Sequence, residues 1–380
     1  MYIGAIITVA GANHDGTGRP VHQAGDLIRH KLSETPIAYW PVLGKSILDR
    51  VVENLCQSGA RQVSVISEGG VTQAGSNVES ISRPQGCFWA TWETIVSNYL
   101  HQGIETLLLV RLGHYVELDF VNFVRYHRES GNSLTQACSD RCPVDIVAVD
   151  ARALTSPVDS LRSRLSQLIS ARQRYEFRGY SNALTRPEQY RQLVADSLTG
   201  ACAIRPVGCE VEPGFWLGEG ARVDGSTCVV GPCYIGAGVR VRNACTISGN
   251  SAIEQQCEVD CGTSVDSCSI FPGTYVGMAL NLRNAIVSGS HLFHLQRNVE
   301  VEIHDRRLIG ARFATHRLMK SARTYLGGKA RQLSATALST RSSRLASLLT
   351  NRSTKRIGDC QEVPRTRAEE QSPVILGEVE

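Results

Sequence analysis

The sequence lacks both a long apolar run and a secretory leader. No segment of its 380 residues approaches the ~20 consecutive apolar residues that a membrane-spanning helix needs. The N-terminus, MYIGAIITVAGANHDG, has no basic residues ahead of its short apolar run, as a secretory signal would have. We therefore expect no spanning helix and no such signal, and we predict a cytoplasmic protein.

Metal-binding cysteine patterns are also absent. The thirteen cysteines include no C-x-x-C spacing and no cysteine–histidine pattern typical of a zinc site. In a protein predicted to be cytoplasmic, an odd number of cysteines indicates reduced thiols rather than a disulfide framework. Several of them, such as Cys233, Cys245 and Cys257, occupy a repeated small-residue position, which favours buried thiols.

Acidic residues are missing from the stretch 311–358, which holds eleven Lys and Arg residues. Because the net charge of the whole chain is only +4, the part before this stretch is mildly acidic. Scattered leucines leave two interpretations open: a solvated tail without fixed structure, or an amphipathic helix that contacts an anionic membrane or an acidic partner. The second would make the protein membrane-peripheral. Nucleic-acid binding is not expected, because no fold motif for it is present and aromatic residues are few.

The stretch from Leu217 to Ile270 repeats with a period of six residues. A small or slim residue follows each aliphatic position by four, from Ala221 to Ser269. The aliphatic positions are Leu217, Val223, Val229, Ile235, Val241, Ile247, Ile253, Val259 and Val265. Helices repeat apolar residues every three or four positions and two-faced strands every two, so neither element fits alone. The pattern predicts short strands joined by tight corners and stacked coil upon coil.

Apolar runs alternate with helical patterns in the first half of the chain. The predicted strands are 3–10, 61–67, 105–111, 133–137 and 145–149, and the predicted helices are 49–58, 92–102 and 119–130. Such alternation is typical of a doubly wound α/β domain. The segment ETLLLVR at 105–111 is almost continuously aliphatic, as in a strand covered on both faces.

Several segments resemble the sugar-1-phosphate nucleotidyltransferases, also called sugar-nucleotide pyrophosphorylases. Residues 41–67 (PVLGKSILDRVVENLCQSGARQVSVIS) resemble their P-V-x-G-K-P-I-L, helix, glycine and strand segment. Residues 107–137 resemble their strand ending in Gly-Asp with its following helix, and 179–190 (GYSNALTRPEQY) resemble their G-Y-W-x-D-I-G-T-P-E-x-Y element. Residues 274–287 resemble the end of the repeat domain in mannose-1-phosphate guanylyltransferase-like members, and the hexads resemble the left-handed β-helix of hexapeptide-repeat proteins.

This resemblance implies a domain organisation. It implies a doubly wound, Rossmann-like nucleotidyltransferase α/β domain at 1–200 and a left-handed parallel β-helix at 201–296. A closing hairpin would follow at 297–310, and the basic tail, disordered or amphipathic, at 311–380. We expect a homo-oligomer or a contact with a partner subunit through the β-helix, because the exposed faces of such helices often pair.

The family transfers a nucleotidyl group to a sugar 1-phosphate, releases pyrophosphate, and holds Mg²⁺ with two aspartates. The resemblance puts His114 and Ala183 at the two aspartate positions, and Pro36-Ile37 at the family's Pro-Lys pair. Neither a histidine nor an alanine suits Mg²⁺, which prefers oxygen ligands. The candidate catalytic residues are therefore only Arg19 and His114. The candidate substrate-binding residues, several from an out-of-order glycine-rich loop, are Gly11, Gly16, Thr17, Gly18, Gly113, Tyr180, Asn182 and Glu188.

Two carboxylates follow His114 at a short distance. We expect Glu117 to be a solvated loop residue and Asp119 to cap the helix that follows it.

The sequence thus predicts a degenerate pyrophosphorylase-like protein: a regulatory, binding or scaffold subunit in sugar-nucleotide or cell-envelope polysaccharide metabolism. Its ligand would be a sugar nucleotide or sugar phosphate, and no resident cofactor is predicted. The alternative is an active nucleotidyltransferase with a remodelled site that uses Mg²⁺. A hexapeptide-repeat acyltransferase is less favoured, because such enzymes typically use a histidine as general base and none occurs between Ile204 and Ser290.

Overall fold

Strands and helices alternate along residues 2–199, which we call the α/β region. The structure is a computed structural model that describes residues 2–9, 36–68, 78–83, 88–140, 142–155 and 160–312. The out-of-order glycine-rich loop near residues 11–19 and the basic tail after residue 312 lie outside these residues. The chain is a mixed α/β protein with parallel sheets and many short strands toward the C-terminus. None of the described helices is long and apolar enough to cross a bilayer.

The elements of the α/β region are eleven strands and five helices among the described residues. The strands are β1 (Tyr2–Val9), β2 (Pro41–Val42), β3 (Lys45–Ser46), β4 (Ala60–Glu68), β5 (Val78–Arg83), β6 (Ile104–Leu112), β7 (Tyr115–Val116), β8 (Leu134–Ser139), β9 (Cys142–Asp150), β10 (Gln173–Phe177) and β11 (Ser181–Asn182). The helices are α1 (Ile47–Gln57), α2 (Phe88–His101), α3 (Phe120–Glu129), α4 (Leu161–Ser170) and α5 (Pro187–Thr199).

Seven of these strands form one sheet in the order β10-β8-β9-β6-β1-β4-β5. β1 pairs in parallel with β4 and β6, whereas β9 runs antiparallel to both β6 and β8. All five predicted strands are present, and β6 is buried along most of its length, as its aliphatic sequence predicts. The antiparallel direction of β9 was not predicted, because direction depends on the path of the chain rather than on local apolar pattern.

Capping residues fix the starts of two helices. The Ser46 side chain accepts a hydrogen bond from the Asp49 backbone N–H at 3.0 Å, and the Asp49 carboxylate accepts one from the Ser46 N–H at 3.2 Å. This capping box starts α1 two residues before the predicted boundary. Gly59, with φ of 91°, follows its end as predicted. Asp119 caps α3 by accepting from the Asn122 N–H at 3.0 Å, which confirms that prediction.

The sequence prediction missed two helices, α4 and α5, and six strands: β2, β3, β5, β7, β10 and β11. Of β10, only Phe177 is buried, because the strand lies at the edge of the sheet and carries no apolar run. α5 did have a local signal, since Pro187 occupies its first turn.

Short strands stacked in three sheets make up residues 209–311, which we call the hexad region. The strands are β12 (Cys209–Glu212), β13 (Phe215–Leu217), β14 (Arg222–Val223), β15 (Cys228–Val229), β16 (Cys233–Ile235), β17 (Arg240–Val241), β18 (Thr246–Ser248), β19 (Ala252–Ile253), β20 (Glu258–Val259), β21 (Ser264–Asp266), β22 (Ser269–Ile270), β23 (Thr274–Val276), β24 (Asn281–Arg283), β25 (Ala285–Ser288), β26 (His291–His294), β27 (Val299–Glu302) and β28 (Ile309–Ala311).

Every third strand of the repeat pairs in parallel, so that one coil takes eighteen residues. Leu217 pairs with Ile235, and Ile235 with Ile253, in the first of the three sheets. The aliphatic positions of the middle coils are buried, and Ile247 and Val259 have no exposed surface. The predicted coil-upon-coil stacking of the hexads is therefore present.

Within the predicted stretch the period slips once, which corrects the prediction of an unbroken repeat. Ile253 pairs with Ile270, seventeen residues later, because one residue is missing from the corner between Val265 and Ile270. The same corner of the following coil, between Leu282 and Val287, is also one residue short, so Ile270 pairs with Val287 after seventeen residues. Cys268 therefore joins the small buried residues of the core, whereas Ser269, predicted at that position, pairs with Ile286 and contacts α5.

The segment 297–310 closes two sheets instead of forming the predicted hairpin. β27 pairs with β26, and β28 pairs antiparallel with β23 in a different sheet. A chain end that covers two separate sheet edges cannot be recognised from strand pattern alone. The boundaries predicted for the other domains stay predictions.

An apolar cluster joins the α/β region to the first sheet of the hexad region. The rings of Trp40, Tyr190 and Phe271 meet edge-on, with centroids 5.1 to 5.7 Å apart. Tyr234 and Phe293 of the hexad region are buried in the same cluster. All cysteines in the described ranges are free thiols.

Candidate functional site

The order of the strands defines a crevice at one edge of the sheet. From β1 the chain adds β4 and β5 on one side and then crosses to β6 on the other. The carboxyl ends of β1 and β6 lie side by side, with Val9 paired with Leu112. In open α/β sheets, ligands bind outside the carboxyl ends of the strands at such a reversal. The predicted glycine-rich loop follows β1, and Gly113 and His114 follow β6.

A cavity of about 390 Å³ opens at this edge. Its walls are α1, the segment from the end of β6 to the start of α3, the first half of β9, and residues 203–204. The charged and polar side chains that line it include Arg50, Glu53, Arg111, His114, Glu117, Asp119 and Asp145. Its volume lies within the range of small-molecule sites.

His114 is the one predicted catalytic residue that the structure describes, and it lines this cavity. Its Nδ1 atom is buried, and none of the described residues forms a hydrogen bond with it. Buried polar atoms are normally paired, so an unpaired ring nitrogen beside a cavity marks a candidate contact for a ligand.

His114 and Ala183 flank the same end of a small antiparallel ribbon. Asn182 in β11 pairs with Tyr115 in β7, and His114 and Ala183 are each one residue away from this pair. These are the two positions that the family resemblance assigns to metal ligands. An imidazole and a methyl group do not fit Mg²⁺, which is held mainly by carboxylates and phosphates. Across the described ranges, no group of three His, Cys, Asp or Glu residues is arranged to hold a metal ion.

The side chains of Tyr180 and Asn182 form hydrogen bonds that hold the segment leading into α5. The Tyr180 hydroxyl donates to the Asp196 carboxylate at 2.6 Å, and burial raises the pKa of Tyr180 well above its ordinary value. The Asn182 side chain donates to the Gln189 carbonyl at 2.9 Å and accepts from the Leu184 N–H at 3.1 Å. These contacts explain both side chains without a ligand, so their substrate-binding role stays a prediction.

The other predicted site residues are not brought together by the described structure. Glu188 is exposed in the first turn of α5 and is not part of the cavity lining, and Gly113 contributes only backbone between β6 and β7. Five of the predictions fall outside the described residues: Gly11, Gly16, Thr17, Gly18 and Arg19.

Arg50 lines the cavity and was missed by the sequence analysis. Its guanidinium donates to the carbonyls of Val42 at 3.1 Å, Leu43 at 3.1 Å and Arg205 at 3.2 Å. Burial lowers the pKa of Arg50. It therefore ties the cavity wall to the β2–β3 turn and to the approach to the hexad region. No local signal could reveal this role, because Arg205 lies 155 residues away.

Glu117 is not the solvated loop residue that we expected. Its carboxylate accepts from the Tyr115 hydroxyl at 3.3 Å and from the backbone N–H of Ala203. Asp145, by contrast, is exposed and reaches Arg111 only at 3.9 Å. Of the carboxylates near His114, Asp145 thus makes the weakest contacts with other residues.

Comparisons with protein-family models and with curated proteins find no match for this chain.

Proposed function

We propose that this chain is a degenerate sugar-nucleotide pyrophosphorylase-like protein. It would bind a sugar nucleotide or sugar phosphate without turning it over, and act as a regulatory or scaffold subunit in sugar-nucleotide or cell-envelope polysaccharide metabolism. In this proposal the α/β region is a Rossmann-like nucleotidyltransferase domain, and the hexad region is a left-handed parallel β-helix.

The observation that carries the proposal is the position of His114 in the cavity wall, with Ala183 one residue beyond the neighbouring pair of Tyr115 and Asn182. The cavity lies at the sheet edge where ligands of α/β proteins bind. A pair of aspartates there could hold a metal ion against a triphosphate, but an imidazole and a methyl group cannot. Binding without turnover is what such a site supports.

Two nitrogen donors at the cavity suit a ligand with phosphate groups. Arg111 at the end of β6 has a partly exposed side chain, 40% accessible, and His114 offers an unpaired ring nitrogen. Arginine and imidazole N–H groups are good donors to phosphate oxygens. We assign Arg111 and His114 to the phosphate end of the ligand.

The scaffold part of the proposal relies on the free faces of the hexad region. One sheet is covered by the α/β region, whereas outward residues of the other two, such as Arg240, Thr246 and Asn281, are exposed. These faces are available for a second copy or a partner subunit. Contact of the basic tail with an anionic membrane or an acidic partner remains part of the same proposal.

A turnover assay separates this proposal from the active-enzyme alternative. Purified protein is incubated with a nucleoside triphosphate, a hexose 1-phosphate and Mg²⁺ or Mn²⁺, and pyrophosphate release is measured. We expect none. Release that disappears in a His114→Ala variant would establish the remodelled-enzyme alternative instead.

A binding experiment tests the site itself. Calorimetric titration with a nucleoside diphosphate-hexose should show binding to the wild type. The His114→Ala variant should bind about tenfold more weakly, which is the loss of roughly one hydrogen bond to a charged group. His101→Ala, which changes an exposed histidine on α2, is the matched control and should bind like the wild type. Equal affinity of all three proteins would show that His114 does not contribute to ligand binding.

A further inference from the structure

Glu254 is a carboxylate with no exposed surface in the hexad region, immediately after β19. Its two oxygens accept hydrogen bonds from the backbone N–H groups of Leu43 at 2.8 Å and Gly44 at 2.9 Å. These two residues form the β2–β3 turn of the α/β region, which is 210 residues away in sequence. Glu254 therefore connects the two regions through a single side chain.

The turn is shaped to receive this carboxylate. Leu43 and Gly44 have φ values of 53° and 95°, which direct both N–H groups to one side. A Cβ atom on Gly44 would lie 2.5 Å from the Tyr234 hydroxyl and 2.8 Å from Val207. Only glycine lets the turn approach the hexad region this closely, so the docking geometry is specific.

The surroundings of Glu254 are mostly apolar or uncharged. The titratable groups that face it are Arg50 from α1, Tyr190 from α5, Tyr234 from β16 and Cys257 from its own coil. Arg50 makes its hydrogen bonds with carbonyl oxygens, and among the described residues no cation lies within ion-pair distance of Glu254.

Burying a carboxylate without an ion pair is costly when the group is charged. Two backbone N–H donors favour the charged form and offset part of that cost, but burial outweighs them, so the group holds a proton more readily in the folded chain. We propose that Glu254 is a proton-operated latch between the two regions: its neutral form holds the β2–β3 turn on the hexad region, and its ionisation loosens this docking. The inference stands independently of any ligand in the cavity.

The direction in which folding stability changes with pH follows from the raised pKa of Glu254. Burial raises the pKa of Glu254 from 4.5 to about 7 in the folded protein. Between these two values the folded chain holds a proton that the unfolded chain has released, so stability falls as pH rises through this window. Above about pH 7 both states are ionised, and this group adds no further pH dependence.

Glu254→Gln removes the titration and keeps the size of the side chain. Urea unfolding of the full chain, followed by tryptophan fluorescence, is measured across this pH window. The unfolding constant of the wild type should rise relative to that of the variant by up to about tenfold per pH unit. Effects of other groups, such as the buried His127, cancel in this comparison.

Glu219→Gln is the matched control, since it changes an exposed carboxylate in the same region. It should follow the pH dependence of the wild type. If Glu254→Gln also follows it, the latch is disproved.

A measurement on the wild type keeps the proposal testable should Glu254→Gln fail to fold. Hydrogen exchange at the Leu43 and Gly44 amides is compared with that at Leu108 in β6 between about pH 5 and about pH 8. Protection of the two turn amides should fall with rising pH relative to Leu108, because their acceptor loosens. Constant relative protection would overturn the proposal.

Discussion

The hexad region and the α/β region obtain their cores in opposite ways. In the hexad region the inward residues of each coil pack on those of the next coil, eighteen residues away in the first coils and seventeen in the later ones. In the α/β region the central pairing joins β1 to β6, with Ile6 opposite Leu109. Contacts between neighbouring coils follow from a short sequence repeat. The pairing of β1 with β6 depends instead on the path of the whole chain.

The two regions also differ in the polarity of the side chains that line their interiors. The inward columns of the hexad region hold aliphatic residues and small residues such as Cys257 and Thr263. The cavity with its charged lining belongs mostly to the α/β region, at the end of β6. The candidate site thus lies where sequence-distant segments converge, and the repeat supplies a body on which the α/β region packs.

The largest effect should come from removing core volume in each region. Ile253→Ala and Leu108→Ala both truncate side chains with no exposed surface, and each should cost about 2–5 kcal/mol of unfolding free energy. Because an apolar cluster joins the regions, we expect both variants to lower the midpoint of one shared unfolding transition in urea. Two separate transitions, each shifted by only one of the variants, would show that the regions are energetically independent.

A smaller loss of stability should follow from removing a hydrogen-bonding side chain that connects the two regions. Arg191 of α5 is 8% exposed and donates to the Ser269 hydroxyl at 3.3 Å and to the Asn250 carbonyl at 3.1 Å. Arg191→Met should cost about 1.5–3 kcal/mol, because buried acceptors lose a charged donor. The same change at the exposed Arg178 is the control, and both are measured by urea unfolding. Equal stability of the two variants would contradict the role given to Arg191.

The smallest effect distinguishes two carboxylates of the cavity. Asp119→Ala removes the cap of α3 and should cost about 1 kcal/mol in thermal unfolding. Asp145→Ala removes only a long, exposed ion pair with Arg111 and should cost less than about 0.5 kcal/mol. A reversed order of the two costs would mean that Asp145 has a structural role that its contacts do not explain.

The sequence by itself determined the local features of both regions. The six-residue aliphatic period predicted the stacked coils, and Asp119 was recognised as the cap of α3. The aliphatic segment at 105–111 predicted the buried strand β6. In each case the signal and its structural consequence lie within a few residues of each other, so a short window of sequence carries both.

Only the tertiary structure decided which distant residues meet. Three features join segments far apart in the chain: the pairing of Tyr115 with Asn182, the position of Arg50 beside the cavity, and the burial of Glu254 against the turn at Gly44. The seventeen-residue coil is of the same kind, because a corner can lose a residue while the aliphatic columns stay aligned. Such contacts bring distant segments of the chain together. No local sequence period or secondary-structure propensity encodes which segments meet.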